Sequence, residues 1–206
     1  MRGMVEHSRP VVRRSTGTDR SAVARVLAAS FADDPVLTHL FPVSIRYRAS
    51  RLRRFFRLEA ARSRRRGGCW VTDDGTAASV WSPPGRWAST RWEDATQGPG
   101  AMVALGRQLG RAQRARTDME TPHRELPDHW YLLYVGVDPA RQGRGLGSEV
   151  MRPVLEECDR TGTPAYLEAT CERNRTLYLR HGFTDRGILP LPDGGPTMFR
   201  MWRDPA

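Results

Sequence analysis

The segment Gln142-Gly-Arg-Gly-Leu-Gly-Ser148 constrains this chain more than any other, because an apolar run feeds it and an amphipathic run leaves it. Residues 129–137 (His-Trp-Tyr-Leu-Leu-Tyr-Val-Gly-Val) read as a buried strand, and Val150, Met151, Val154 and Leu155 fall on one stripe of a helix over 148–161. Glycines at 143, 145 and 147 let the backbone turn tightly and come close to a ligand. The N–H groups from Gln142 to Ser148, Leu146 included, can then point at an anion at the positive end of the helix. Arg141 and Arg144 add cationic reach. The unit is a phosphate cradle. It is not a P-loop, which closes on Gly-Lys-Ser/Thr, nor the dinucleotide fingerprint, which needs an acidic residue about 20 positions on.

Two more elements follow, a short strand over 164–170 and the helical stretch Asn174-Arg-Thr-Leu-Tyr-Leu-Arg-His-Gly-Phe183. In this order the four elements resemble the GNAT acetyltransferases. Gln142, Gly145 and Gly147 match that family's Gln/Arg-x-x-Gly-x-Gly loop, and 174–183 its Asn-x-x-x-Tyr-x-x-x-Gly-Phe helix. Within the family the likeness narrows to puromycin N-acetyltransferase and its actinobacterial relatives. It rests on Ser30-Phe-Ala-Asp-Asp-Pro35, Trp70-Val-Thr-Asp-Asp-Gly-Thr-Ala77, Val80-Trp-Ser-Pro-Pro84, Pro122-His-Arg124, Gln142–Ser148 and Leu167-Glu168, and runs from residue 11 to the end. It departs at Asp34, where that group is expected to carry an aromatic residue, at Arg173 and through 86–118. The departures leave the acceptor open rather than the chemistry.

The resemblance implies a mixed α/β fold, a twisted and mostly antiparallel sheet whose central parallel strand pair splays apart. It implies acetyl-CoA as co-substrate, with pyrophosphate on the glycine loop and the pantetheine arm in the splay, bonded by backbone groups of Val135, Gly136 and Val137. A glycine inside a strand marks a close backbone approach or ordinary packing, so Gly136 fits either role. By resemblance Tyr178 reprotonates the departing thiolate, and Asn174, one turn earlier on the same helix face, bonds the arm or a water. A packed helix tyrosine and a plain N-terminal cap are the competing roles. Asp33, Asp34 and Trp81 would line the acceptor side.

Glu168 alternates out of a short apolar strand opposite the loop strand, and a half-buried carboxylate there can have a raised pKa suited to a base. Its rival role is a salt bridge to one of many arginines. The need for a base depends on the acceptor. An α-amine of pKa near 7.8 is about one-seventh neutral at pH 7, and a lysine-like amine near 10.4 only about one part in 2,500. His39, His123 and His129 are weaker candidates, and His181 suits a helix C-terminus. Cys171, near the expected thioester channel, is taken as structural.

The chain of 206 residues suits one domain over 11–206 behind a polar, frayed 1–10. No run approaches the ~18 apolar residues of a membrane span, and no apolar signal segment opens the chain, so a cytoplasmic location is expected. Three cysteines, Cys69, Cys158 and Cys171, form no Cys-x-x-Cys pair, so no metal is expected. The formal charge is +10, and all 33 basic residues are arginine, which points to a high-GC bacterial genome more than to a function. Leu52, Phe55, Phe56 and Glu59 place the arginines of 51–66 on the wet side of an amphipathic helix over 43–65, rather than in a specific nucleic-acid site. Asp-Gly at 74–75 predicts a hairpin, and 101–116 a helix within an otherwise irregular 86–127. The expected function is N-acetylation of a primary amine on a small molecule, an aminonucleoside antibiotic being one candidate, by a monomer or homodimer. A protein acetyltransferase and a non-catalytic acyl-CoA sensor are the alternatives.

Overall fold

The structure is a computed structural model that describes residues 10–44, 46–88 and 91–206, without the side chains of 91–97. The polar N-terminus expected to fray lies, through residue 9, outside the described residues. Seven strands form one sheet, β1 (Val12–Arg14), β2 (Cys69–Thr72), β3 (Ala77–Ser82), β4 (Trp130–Val137), β5 (Ala165–Ala169), β6 (Thr184–Pro190) and β7 (Thr197–Arg203), in the order β1-β2-β3-β4-β5-β7-β6. Every neighbouring pair is antiparallel except β4 and β5. The mixed sheet with a central parallel pair is the one expected.

That parallel pair is short. Trp130, Tyr131 and Leu132 face Ala165, Tyr166 and Leu167, after which β4 runs on to Val137 beside β3 alone, and β5 to Ala169 beside β7 alone. The opening coincides with a bulge. Val80 pairs with Tyr134 but Trp81 with Leu132, so Leu133 is an extra residue in β4. A bulge bends its strand and increases its twist, which swings the end of β4 away from β5. The splay therefore has a local cause in the chain.

Helices α1 (Arg20–Ser30), α2 (Pro35–Leu40) and α3 (Arg48–Arg65) cover one face, here the front, burying Val23, Leu27, Leu37, Leu52 and Phe56 with Val71, Ala78 and Val80. Helix α6 (Leu146–Thr161) covers the back through Met151, Val154, Leu155 and Cys158, which pack with Trp81, Leu132 and Leu167. On α3 the buried stripe is Leu52, Phe56, Ala60 and Ser63, while Arg53, Arg54, Arg57, Arg64 and Arg65 are exposed. This is the amphipathic pattern expected, although the helix starts at Arg48 rather than near Val43. Tyr47 precedes it at a left-handed φ of 61°, and Ile45 lies outside the described residues.

The segment 86–127 holds more helix than expected. Helices α4 (Arg91–Leu105) and α5 (Leu109–Glu120) are separated by a 3-10 turn entered through Gly106, and Pro122–Arg124 form a second such turn. Helix α7 (Glu172–Leu179) follows β5. The Asp-Gly hairpin is present: Gly75 donates to the Thr72 carbonyl at 2.9 Å and joins β2 to β3. No helix among the described residues is long and apolar enough to cross a membrane.

Candidate active site

The glycine loop begins where β4 ends. Pro139–Arg141 form a 3-10 turn capped by Asp138, and Gly145 is the N-cap of α6 at a left-handed φ of 80°. The first hydrogen bond of α6 runs from the Glu149 N–H to the Gly145 carbonyl at 3.1 Å, so the N–H groups of Leu146, Gly147 and Ser148 have no intrahelical acceptor. Around Gly143 and Gly145 there is open space where a Cβ would sit, and Arg144 is exposed beside them. A bare helix terminus with open space and two arginines fits a diphosphate, the group that CoA would bring. Gln142 spans the loop, donating from Nε2 to the Val137 carbonyl at 3.4 Å and accepting from Arg173 at 3.3 Å. Ser148 is tied at 2.8 Å to His181 Nε2, joining the start of α6 to the turn after α7. Burial and the neighbouring Arg180 and Arg203 lower the His181 pKa and keep its ring neutral.

Asp at position 145 would strain a left-handed residue and set a carboxylate where phosphate is expected, each effect being of the order of 1 kcal/mol. Gly145→Asp should therefore weaken CoA binding in calorimetry by more than about tenfold. An unaltered affinity would remove the loop from the cofactor site.

In the splay the three backbone positions behave differently. Asp138 N–H donates to Thr76 on the β3 side at 2.8 Å, so alternation sends the N–H groups of Val137 and Val135 toward the gap. That of Val137 is already held by the Ser30 hydroxyl at 3.3 Å, at the end of α1. Val135 is thus the position whose N–H faces the gap without that engagement. At Gly136 a Cβ would lie 2.9 Å from Leu27 and 3.0 Å from Ser30, so its missing side chain serves the close approach of α1 to β4.

Tyr166 and Glu168 project from the front face of β5, since Ala165, Leu167 and Ala169 between them pack against the back core. Glu168 Oε2 accepts from the Tyr131 hydroxyl at 2.7 Å, and Oε1 is buried with no partner among the described residues. Burial pushes the carboxyl up to about 7, against the pull of Tyr131, Tyr166 and Arg200. Arg200 lies across the strand pair from Glu168, yet its Nε reaches the Tyr166 hydroxyl at 3.4 Å instead. Among the described residues Glu168 has no salt bridge, so the rival role considered for it is not the one found.

A histidine pair completes this face. The Pro127 carbonyl lies 2.6 Å from His129 Nδ1, which must be the protonated nitrogen, leaving Nε2 to accept. His123 Nδ1, 2.8 Å away, then donates to it, and His123 Nε2 is a lone pair buried without a partner among the described residues. Burial, with His129 and Arg200 nearby, drives His123 down to about 3, so the pair stays neutral. Its ring is stacked on Trp87 and meets Tyr131 edge-on at 4.4 Å.

Tyr178 of α7 is buried against Phe183, and burial, with Asp34 and Cys171 near, raises its hydroxyl well above the ordinary range. Asp34 is the N-cap of α2, accepting from Leu37 N–H at 3.0 Å and from the Thr170 hydroxyl at 2.5 Å. Burial outweighs these bonds and raises its pKa. Asn174 donates to Thr170 at 3.3 Å, so Asp34, Thr170 and Asn174 form one chain from α2 to α7 across the end of β5. Asp33 is exposed. Trp81 requires correction. It is 0% exposed, because it points to the back face of β3 under α6, so it belongs to the core and not to an acceptor wall. Ser30, Thr170, Tyr131 and Tyr166 carry no local signal in the sequence, since Ser30 meets Val137, Thr170 meets Asp34, Tyr131 meets Glu168 and Tyr166 meets Arg200, all far away in the chain.

A model of the acetyltransferase (GNAT) family matches residues 51–183. An uncharacterized N-acetyltransferase of Schizosaccharomyces pombe is 28% identical over 183 residues, covering 83% of this chain and 73% of that protein. A crystal structure from Corynebacterium glutamicum, described as histone acetyltransferase HPA2 and related acetyltransferase, superposes with a TM-score of 0.72 at 25% identity, over 96% of this chain and 97% of that one. The polyamine N-acetyltransferase of Drosophila melanogaster, which forms N-acetylagmatine, shares the fold with a TM-score of 0.65 at 18% identity, over 94% and 99% of the two chains. With more than half of its length under one family model, this protein is an N-acetyltransferase and a member of the GNAT family, whose co-substrate is acetyl-CoA.

Proposed function

We propose that the chain acetylates the primary amine of a small molecule, with Glu168 taking the proton from the attacking nitrogen and Tyr178 serving the departing thiol. The observation that carries this is the Glu168 carboxyl, buried at the mouth of the splay, raised to about 7 and left with one unpartnered oxygen. A carboxyl of that pKa is about half ionised near neutral pH, where a base both accepts and releases protons readily. In the balanced reaction the amine nitrogen bonds to the acetyl carbon, the amine proton passes to Glu168, the C–S bond breaks and the sulfur leaves as a thiolate hydrogen-bonded by Tyr178; the proton that Glu168 then releases to solvent balances the one the thiolate takes up to become the thiol. The Val135 N–H and the N-terminus of α6 orient the co-substrate; Asp34, Thr170 and Asn174 hold α7, and with it Tyr178, against β5.

A small acceptor rather than a protein side chain is supported by the cover over this face. Trp87 and His123 are stacked beside Tyr131, and Leu126 and Pro127 line the cavity next to them, where a peptide would need an open groove. A panel of amines, with puromycin and a lysine peptide included, assayed by thiol release from acetyl-CoA tests the reading. Turnover is expected with small amines and not with the peptide. Turnover confined to the peptide, or CoA binding without turnover of any amine, contradicts it.

A further inference from the structure

Beside Glu168 on the front of β5 and β7 lies a cavity of about 350 Å³ lined by Leu126, Pro127, Tyr166, Arg186, Arg200 and Trp202. Two guanidinium groups share its wall, and no carboxylate does. Two of the acids nearby are engaged elsewhere: Asp185 holds Arg175 through bonds of 2.9 and 2.6 Å, and Asp204 accepts from Trp202 Nε1 at 2.7 Å. Neither Arg186 nor Arg200 has a salt bridge among the described residues, and the single hydrogen bond found for Arg200 is the long one to Tyr166. The cavity is therefore cationic and apolar on its other walls, with no carboxylate in its lining and Glu168 facing Arg200 across the strand pair. A polyamine placed there would set ammonium groups against two guanidinium groups, which the site selects against. A carboxylate would meet planar forks that bind it in bidentate fashion.

The opposite polarity lies along the same strand face. Tyr166 and Glu168 are two residues apart on β5, about 7 Å along the strand. Glu168 Oε1 and His123 Nε2 are both buried acceptors lacking a donor, and Tyr131 touches both side chains. Donors at one end and acceptors at the other match a molecule that carries a carboxylate and an amine. Resting on the acetyltransferase reading above, we propose that the acceptor is an amino-acid-like primary amine, its carboxylate held by Arg186 and Arg200 and its nitrogen presented to Glu168. An aminonucleoside, which has no carboxylate, ranks behind such acceptors.

The test is kcat/KM by thiol release for pairs that differ only in the carboxylate, phenylalanine with phenethylamine and 4-aminobutyrate with propylamine, alongside spermidine and O-phosphoethanolamine. The carboxylated member of each pair should be preferred by about 10- to 100-fold, the worth of charge-assisted bonds. In the double variant Arg186→Met, Arg200→Met the ratio should fall to about 1 through KM, and Arg200→Lys should retain an intermediate preference. Calorimetry with N-acetylphenylalanine should show the same loss of affinity in the double variant. Preference for the carboxyl-free amines, for spermidine or for the phosphate, or a ratio that survives in the double variant, overturns the carboxylate site and leaves the acetyltransferase reading intact. Absence of thiol release with every amine overturns both.

Discussion

Tyr178→Phe should lower kcat about 10²- to 10³-fold, the usual share of one donor aimed at developing charge, while the protein stays folded and binds acetyl-CoA. The change removes one oxygen from a ring that keeps its contact with Phe183 at 5.9 Å between centroids. The hydroxyl makes no hydrogen bond in the described structure, so its loss leaves no partner stranded. Because burial raises its pKa, Tyr178 is protonated at every working pH, and complete transfer to a thiolate whose acid has pKa about 8.5 is uphill. Its help comes as a hydrogen bond to sulfur while the C–S bond breaks, where negative charge builds in a dry slot. Single-turnover kinetics with the Phe variant would check this. Near-normal turnover would mean that water or another hydroxyl stabilises the departing thiolate.

Glu168→Gln should reduce turnover at pH 7 by a similar 10²- to 10⁴-fold and at the same time stabilise the protein. The rate loss should be larger with an alkyl amine of pKa near 10.4 than with an α-amine near 7.8, because the former arrives almost wholly protonated. The stability effect follows from the raised carboxyl. Between its ordinary value of 4.5 and about 7 the native state holds a proton that the unfolded chain has released. Stability from this group is therefore present below pH 4.5 and lost as pH rises through 7, by roughly 3 kcal/mol. Denaturant unfolding of both proteins at pH 5 and pH 8 should show the Gln variant gaining on the parent at the higher pH. A constant difference between them would mean that Glu168 is not a buried, raised carboxyl.

The glycine loop and the elements around it were legible because their signals are local: three alternating glycines, a strand before them and a helical stripe after. Glu168 was legible as the polar break in an apolar alternation. Trp81 was not, since all six residues of β3 are buried and its serines, Ser79 and Ser82, are buried too, so no exposed position marks which face points where. The bulge at Leu133 then shifts the alternation of β4 relative to β3. Gly136 announced a close approach without saying that α1, rather than a ligand, makes it. Ser30, Tyr131 and Thr170 act through partners 107, 37 and 136 residues away, distances at which no motif speaks. The first part of helix α4 was missed because it leads into Gly98, Pro99 and Gly100, residues that locally favour turns, and its contacts with α3 and α5 lie far away in the chain or beyond the break at Gly106.

The most direct test of Glu168 as the base is the pH dependence of kcat/KM for two acceptors whose amine pKa values differ by about two units or more. The site predicts a rising limb with an apparent pKa near 7 for both acceptors, set by the enzyme and absent in Glu168→Gln. A limb that moves with the acceptor's own pKa, or that persists unchanged in Glu168→Gln, would contradict the assignment.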